Sequence, residues 1–144
     1  MHMQTASEAV SFSQEIEEKA AVFYEELAKK FPEHADFLNN MAKENRKFAK
    51  QLHRTYISVI TDAIEGSYAV NIDSEKFEFS TDASEIENIS QAIERIKEVE
   101  AKIIEYYELA AEQSRSLMAD VPREMSIIVK KRRKNRLPQL ESFA

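Results

Sequence analysis

Three glutamates stand where a carboxylate is costly. Glu17 falls on a stripe with Val10, Ala20, Ala21, Tyr24, Leu27, Ala28 and Phe31. Glu44 interrupts Phe37, Met41, Phe48, Leu52 and Val59. Glu100 interrupts Ile86, Ile89, Ile93, Ile96 and Ile103. A carboxylate in a buried row needs a metal ion, a protein cation or hydrogen-bond donors to meet it. One such residue can be a local accident, whereas three near mid-helix suggest a shared site. Tyr24 follows Glu17 at the spacing at which Tyr107 follows Glu100. Each tyrosine is read as a core residue whose hydroxyl bonds a glutamate across the helices.

Other chemistries find little support. The chain has no Cys, which excludes a disulfide framework, a thiolate metal site and a Cys nucleophile. No Gly-rich phosphate loop or Ser/His/Asp arrangement stands out. His34 sits at a helix start and His53 lies more than two turns from Glu44, so both read as ordinary surface or edge residues.

Positioning three such groups requires long helices. The 144 residues contain one Gly and three Pro, so breakers are few and Glu, Lys, Ala and Ile favour helix. The first helix is expected from near Thr5 or Ser7 to about Phe31, opened by a Thr5–Glu8 capping box. The second is expected from about His34 to Glu65, with Gly66 as its stop. Residues 66–83 form a crossover whose one β-like stretch is Lys76 to Phe79. A Ser84–Glu87 capping box opens the third helix, which runs to about Met118. Asp120 caps the fourth, Pro122 sits in its first turn, and Pro138 kinks or ends it. A helix of ~30 residues is ~45 Å long. A crossover of about seventeen residues can span ~55 Å. It can therefore run back along the helices and set the third parallel to the second. The expected fold is one all-α domain over 1–144: two helical hairpins in an antiparallel four-helix bundle, joined by one long crossover.

The first and third helices look like copies. Glu15 to Glu25 and Glu98 to Glu108 align at a constant offset, with Glu17 on Glu100, Lys19 on Lys102, Phe23 on Tyr106 and Tyr24 on Tyr107. On these residues, on Glu44 and on the crossover, the chain resembles the rubrerythrin-like branch of the ferritin-like superfamily over nearly its whole length. The resemblance implies a di-iron site. One Glu comes from each of the first and third helices, and a Glu-x-x-His from each of the second and fourth, for peroxide or dioxygen chemistry.

Here that pattern is interrupted. Glu44-x-x-His reads Glu44-Asn45-Arg46-Lys47, so Lys47 stands at one ligand position. On the fourth helix Met125, Ile128, Arg132 and Asn135 share a face, which places Arg132 and Asn135 at the other two. Neither Lys⁺ nor Arg⁺ can ligate a metal. Arg132 or Lys47 is expected between the glutamates, with Lys47 reaching solvent as the bland alternative. Glu17, Glu44 and Glu100 would be residual ligand positions and Tyr24 and Tyr107 their outer partners.

Three functional readings follow. The first is a rubrerythrin-like protein with a degenerate di-iron site, kept as a non-catalytic binding or structural module without cofactor. The second is a non-haem iron oxidoreductase with an altered ligand set. The third is a nucleic-acid-associated protein using residues 130–136, where six of seven residues are cationic. The bland reading of that run is a solvated helix end complementing the C-terminal dipole. A formal charge of −6 and no interleaved aromatics make nucleic acid a poor partner. No apolar run can cross a bilayer and no signal-peptide layout is present, which points to the cytoplasm. Ile57, Ile60, Ile104 and Tyr106 lie off the stripes and suggest a homodimer face.

Overall fold

The computed structural model describes residues 1–59, 68–115 and 119–143. It is mostly helical. Helix α1 is Ala6–Lys30, opened by the expected capping box: Thr5 accepts from the Glu8 amide while the Glu8 carboxylate accepts from the Thr5 amide. A single 3₁₀ turn, Pro32–His34, reverses the chain into α2, Ala35–Val59. The expected end of α2 at Glu65 and the Gly66 stop lie outside the described residues.

Helix α3 is Ile89–Ser114. It starts later than the Ser84–Glu87 box implied, because Asn88 caps it by accepting from the Gln91 amide at 2.9 Å. Ser84 instead belongs to a short 3₁₀ turn, Ala83–Glu85, capped by Asp82. Helix α4 is Asp120–Lys131. Asp120 is its first residue rather than its cap, and there its charge favours the positive end of the helix dipole. Helical backbone continues through a π-turn, Arg132–Arg136, into α5, Leu137–Glu141. The π-turn follows from Pro138, which lacks an amide and crowds the carbonyl one turn back. The Leu137 amide accordingly bonds Arg132 O, five residues earlier.

Two elements escaped sequence reading. Strand β1, His2–Thr5, pairs antiparallel with β2, Tyr68–Asp73, setting Met3 opposite Ile72. Both of these apolar side chains are buried. The β-like stretch at Lys76 to Phe79 is not a strand. Asp73 accepts from the Glu75 amide and starts a 3₁₀ turn, Ser74–Phe77, which turns the Phe77 ring onto Tyr106 at 5.6 Å. The crossover then follows α1: Lys19 donates to Phe79 O at 3.0 Å and Lys30 to Ala83 O at 2.8 Å.

Side-chain bonds give the helix directions. Glu17 pairs with Tyr107 and Tyr24 with Glu100, so α1 and α3 run antiparallel. Arg133 meets Glu108 while Lys97 meets Glu141, so α3 runs antiparallel to α4–α5. The short turn makes α1 and α2 antiparallel. Packing joins α1 to α2, α2 to α4, α4 to α3 and α3 to α1. The chain after α2 therefore enters α3 in the direction of α2.

Ile104 and Tyr106 are internal, against the expectation of an outer apolar face; the Tyr106 hydroxyl donates to Ala9 O at 2.6 Å. Ile57 is exposed and Ile60 lies outside the described residues. No described helix is long and apolar enough to cross a membrane.

Candidate functional site

The core between the four helices carries charge. Glu17, Glu100 and Arg132 have no solvent exposure, and Arg136 has 1%. Each helix supplies part of the group through its inward stripe: Glu17 and Tyr24 from α1, Asn45 and Phe48 from α2, Glu100 and Tyr107 from α3, Arg132 and Arg136 from the π-turn after α4.

Arg132 sits at the centre. Its Nη1 donates to Glu17 Oε2 at 2.7 Å, and Nη2 donates to Glu17 Oε1, completing a two-pronged contact. Its Nε donates to Glu100 Oε1 at 2.9 Å and Nη2 reaches Asn45 Oδ1 at 3.3 Å. The planar guanidinium can serve two carboxylates at once, which a Lys ammonium does poorly. The Phe48 ring lies 5.1 Å from the Arg132 guanidinium carbon and 5.7 Å from that of Arg136. An aromatic face at that range attracts a desolvated cation.

Arg136 closes the other side. Its Nη1 donates to Glu100 Oε1 at 3.2 Å and to Asn45 Oδ1, and Nη2 donates to Met41 O at 3.2 Å and Glu44 Oε1 at 2.6 Å. The tyrosines bond reciprocally across the pair of copied helices. Tyr24 donates to Glu100 Oε2 at 2.6 Å and Tyr107 to Glu17 Oε2 at 2.8 Å.

Electrostatics follow from this geometry. Burial pushes the Glu100 carboxyl up, but Arg132, Arg136 and the Tyr24 hydroxyl together hold it below the ordinary carboxylate range. Burial and the neighbouring Glu100 anion raise the Tyr24 phenol well above its usual value; burial and Glu17 do the same for Tyr107. Burial disfavours the Arg132 cation, yet Glu100 and Glu17 more than compensate and keep it charged. Two buried carboxylates thus face two buried guanidinium groups. Among the described residues, Asn45 Nδ2 and Arg136 Nε are buried donors without a protein acceptor.

The expected site residues separate into two sets. Glu17, Glu100, Arg132, Tyr24 and Tyr107 come together. Glu44, Lys47 and Asn135 do not enter the core. Glu44 keeps 47% of its side chain exposed and reaches Arg136. Lys47 is exposed, because the buried stripe of α2 runs Leu38, Met41, Asn45, Phe48, Leu52, one position round from the stripe chosen by sequence. Asn135 is exposed because the wider π-turn carries Arg136, not Asn135, onto the face continued from Ile128 and Arg132.

Asn45 and Arg136 were therefore missed. Asn45 could have been found from the alternative three-four spacing of Leu38, Met41 and Phe48. The signal for Arg136 was Pro138, two residues on. The basic run also divides. Arg132 and Arg136 are core residues, while Lys130, Lys131, Arg133 and Lys134 are exposed.

A di-iron centre needs carboxylate and imidazole ligands converging with free lone pairs. Here both core carboxylates accept from guanidinium and phenol groups. Among the described residues no group of three His, Cys, Asp or Glu side chains could hold a metal ion. The residues present do not fit that centre. Comparison with known proteins gives no matching family model, no similar curated protein and no similar solved structure.

Proposed function

We propose that this chain is a rubrerythrin-like protein of the ferritin-like bundle type in which protein cations occupy the place of the two iron ions. It then serves as a non-catalytic binding or structural module. The carrying observation is the two-pronged Arg132–Glu17 contact, with Arg132 Nε on Glu100, in a group without solvent exposure. A cation of the protein and a metal ion compete for the same carboxylate oxygens, and the tethered guanidinium has no translational entropy to lose. Removing one partner of such a group strands a buried charge, so the arrangement is self-maintaining.

Two further observations support the ferritin-like part. The copied helices exchange Tyr–Glu bonds reciprocally, and the long connection joins two helices of the same direction that occupy opposite corners of the packing.

Metal analysis tests the proposal. Protein produced with supplemented iron should carry well under one iron per chain, with no iron-dependent peroxide turnover. Two irons per chain, lost on Glu17→Ala, would overturn it in favour of an iron oxidoreductase.

A further inference from the structure

The outer surface between α3 and α4 carries a feature that the core does not use. A groove of about 760 Å³ runs there. From Ala119 to Lys134 it follows α4 and the start of the π-turn for roughly 22 Å at the helical rise. Its walls include five cationic residues, Arg115, Arg123, Lys130, Arg133 and Lys134. Two acids, Glu108 and Glu112, oppose them, and Glu108 is already engaged by Arg133 at 2.9 Å. The floor is apolar, formed by Ala111, Pro122 and Val129, which are largely buried. The whole chain has a formal charge of −6, so this concentration of positive charge is local.

Arg133 pairs with Glu108 and Arg123 with Asp120 at 3.4 Å, but folding does not account for Lys130 and Lys134. A helix C-terminus would favour them, but helical backbone continues past Lys134 to Glu141. Lys130 and Lys134 stand four residues apart on one helix, where like charges repel. Among the described residues neither forms an ion pair within 4 Å. Their placement opposes folding slightly and suits a ligand.

We infer that this groove docks an acidic amphipathic helix of a partner protein. A long open trough between two helices with an apolar floor and charged rims receives a third helix, whose apolar stripe covers the floor while flanking carboxylates meet the rims. Nucleic acid fits less well. Its backbone gains nothing from the apolar floor, and among the described residues no aromatic side chain lines the groove to stack a base. The inference does not depend on what the core binds.

Fluorescence anisotropy with a labelled synthetic peptide tests it. The peptide carries Leu at i, i+3, i+4 and i+7 and Glu on both flanks. It should bind, and weaken as salt is raised. Combined Lys130→Glu and Lys134→Glu should lower its affinity roughly tenfold or more. Both residues are exposed, and circular dichroism would verify that the variant keeps its helices. A peptide of identical composition with scrambled Leu positions, and a single-stranded oligonucleotide of equal charge, should each bind roughly tenfold more weakly. Equal binding of either control overturns the inference, as does absent binding of the striped peptide or full affinity in the double variant. Self-association that the double variant abolishes would also overturn it, since a second copy would then be the occupant.

Discussion

Arg132 and Glu17 meet across a sequence separation of 115 residues, with Arg132 Nη1 donating to Glu17 Oε2 at 2.7 Å in a core without solvent exposure. This contact joins the first helix to the π-turn after α4, and with Glu100 it bridges the two copied helices. It makes the core a place where charges must be removed together or not at all.

Arg132→Ala should therefore destabilise the fold by roughly 3–5 kcal/mol, because Glu17 is left buried without a cation and Glu100 keeps only Arg136. Arg133→Ala, one residue on but at the surface, should cost under about 1 kcal/mol. Adding Glu100→Gln to Arg132→Ala should recover part of the loss. Urea denaturation midpoints would measure all three. An unchanged midpoint for Arg132→Ala would show that the side chain faces solvent.

The π-turn leads to a second comparison. Arg136→Ala removes contacts to Glu44, Glu100 and the Met41 carbonyl, whereas Asn135→Ala touches an exposed side chain. The first should be clearly destabilising and the second should stay within about 0.5 kcal/mol of the parent. Equal effects would place the wrong residue in the core.

Acid should expose the same network. Glu100 has a depressed pKa in the fold, so its stabilisation is complete above its unfolded value, ~4.3. It is lost as the pH falls through the lower folded value. Thermal midpoints should decline below about pH 4, and Glu100→Gln should flatten that decline. A decline of undiminished steepness in Glu100→Gln would locate the acid sensitivity elsewhere.

The tyrosines give the alkaline counterpart. Tyr24 and Tyr107 have folded pKa values raised well above the usual 10.0. Their contribution is complete below the unfolded value and lost as the pH rises toward the folded one. Tyrosinate absorbance from them should appear together with loss of helix, not before it. Tyr24→Phe and Tyr107→Phe should each cost about 1.5–3 kcal/mol, the range for a hydrogen bond to a charged group. Because both act on carboxylates held by Arg132, the double variant should depart from additivity. Additive losses would mean that the two halves of the network are independent.

Much of this was legible in the residues. The Thr5–Glu8 box marked the start of α1, and the equal spacing of Glu17–Tyr24 and Glu100–Tyr107 marked two facing copies. Arg132 could be placed because it continues Met125 and Ile128. What failed was register. A 3.6-residue period allows either Phe37–Met41–Glu44 or Leu38–Met41–Asn45 as the inner stripe of α2, and only packing against α1 and α4 decides between them. The π-turn inserts part of a residue that no regular period includes, so Asn135 was chosen in place of Arg136. The β1–β2 pair joins segments about seventy positions apart, and nothing local to His2–Thr5 announces its partner.

Diffraction at the iron absorption edge, from crystals grown with excess ferrous iron, would show what lies between Glu17 and Glu100. Planar guanidinium density should lie between these carboxylates, with no anomalous peak there. An anomalous peak between these carboxylates, with Arg132 displaced toward solvent, would contradict it.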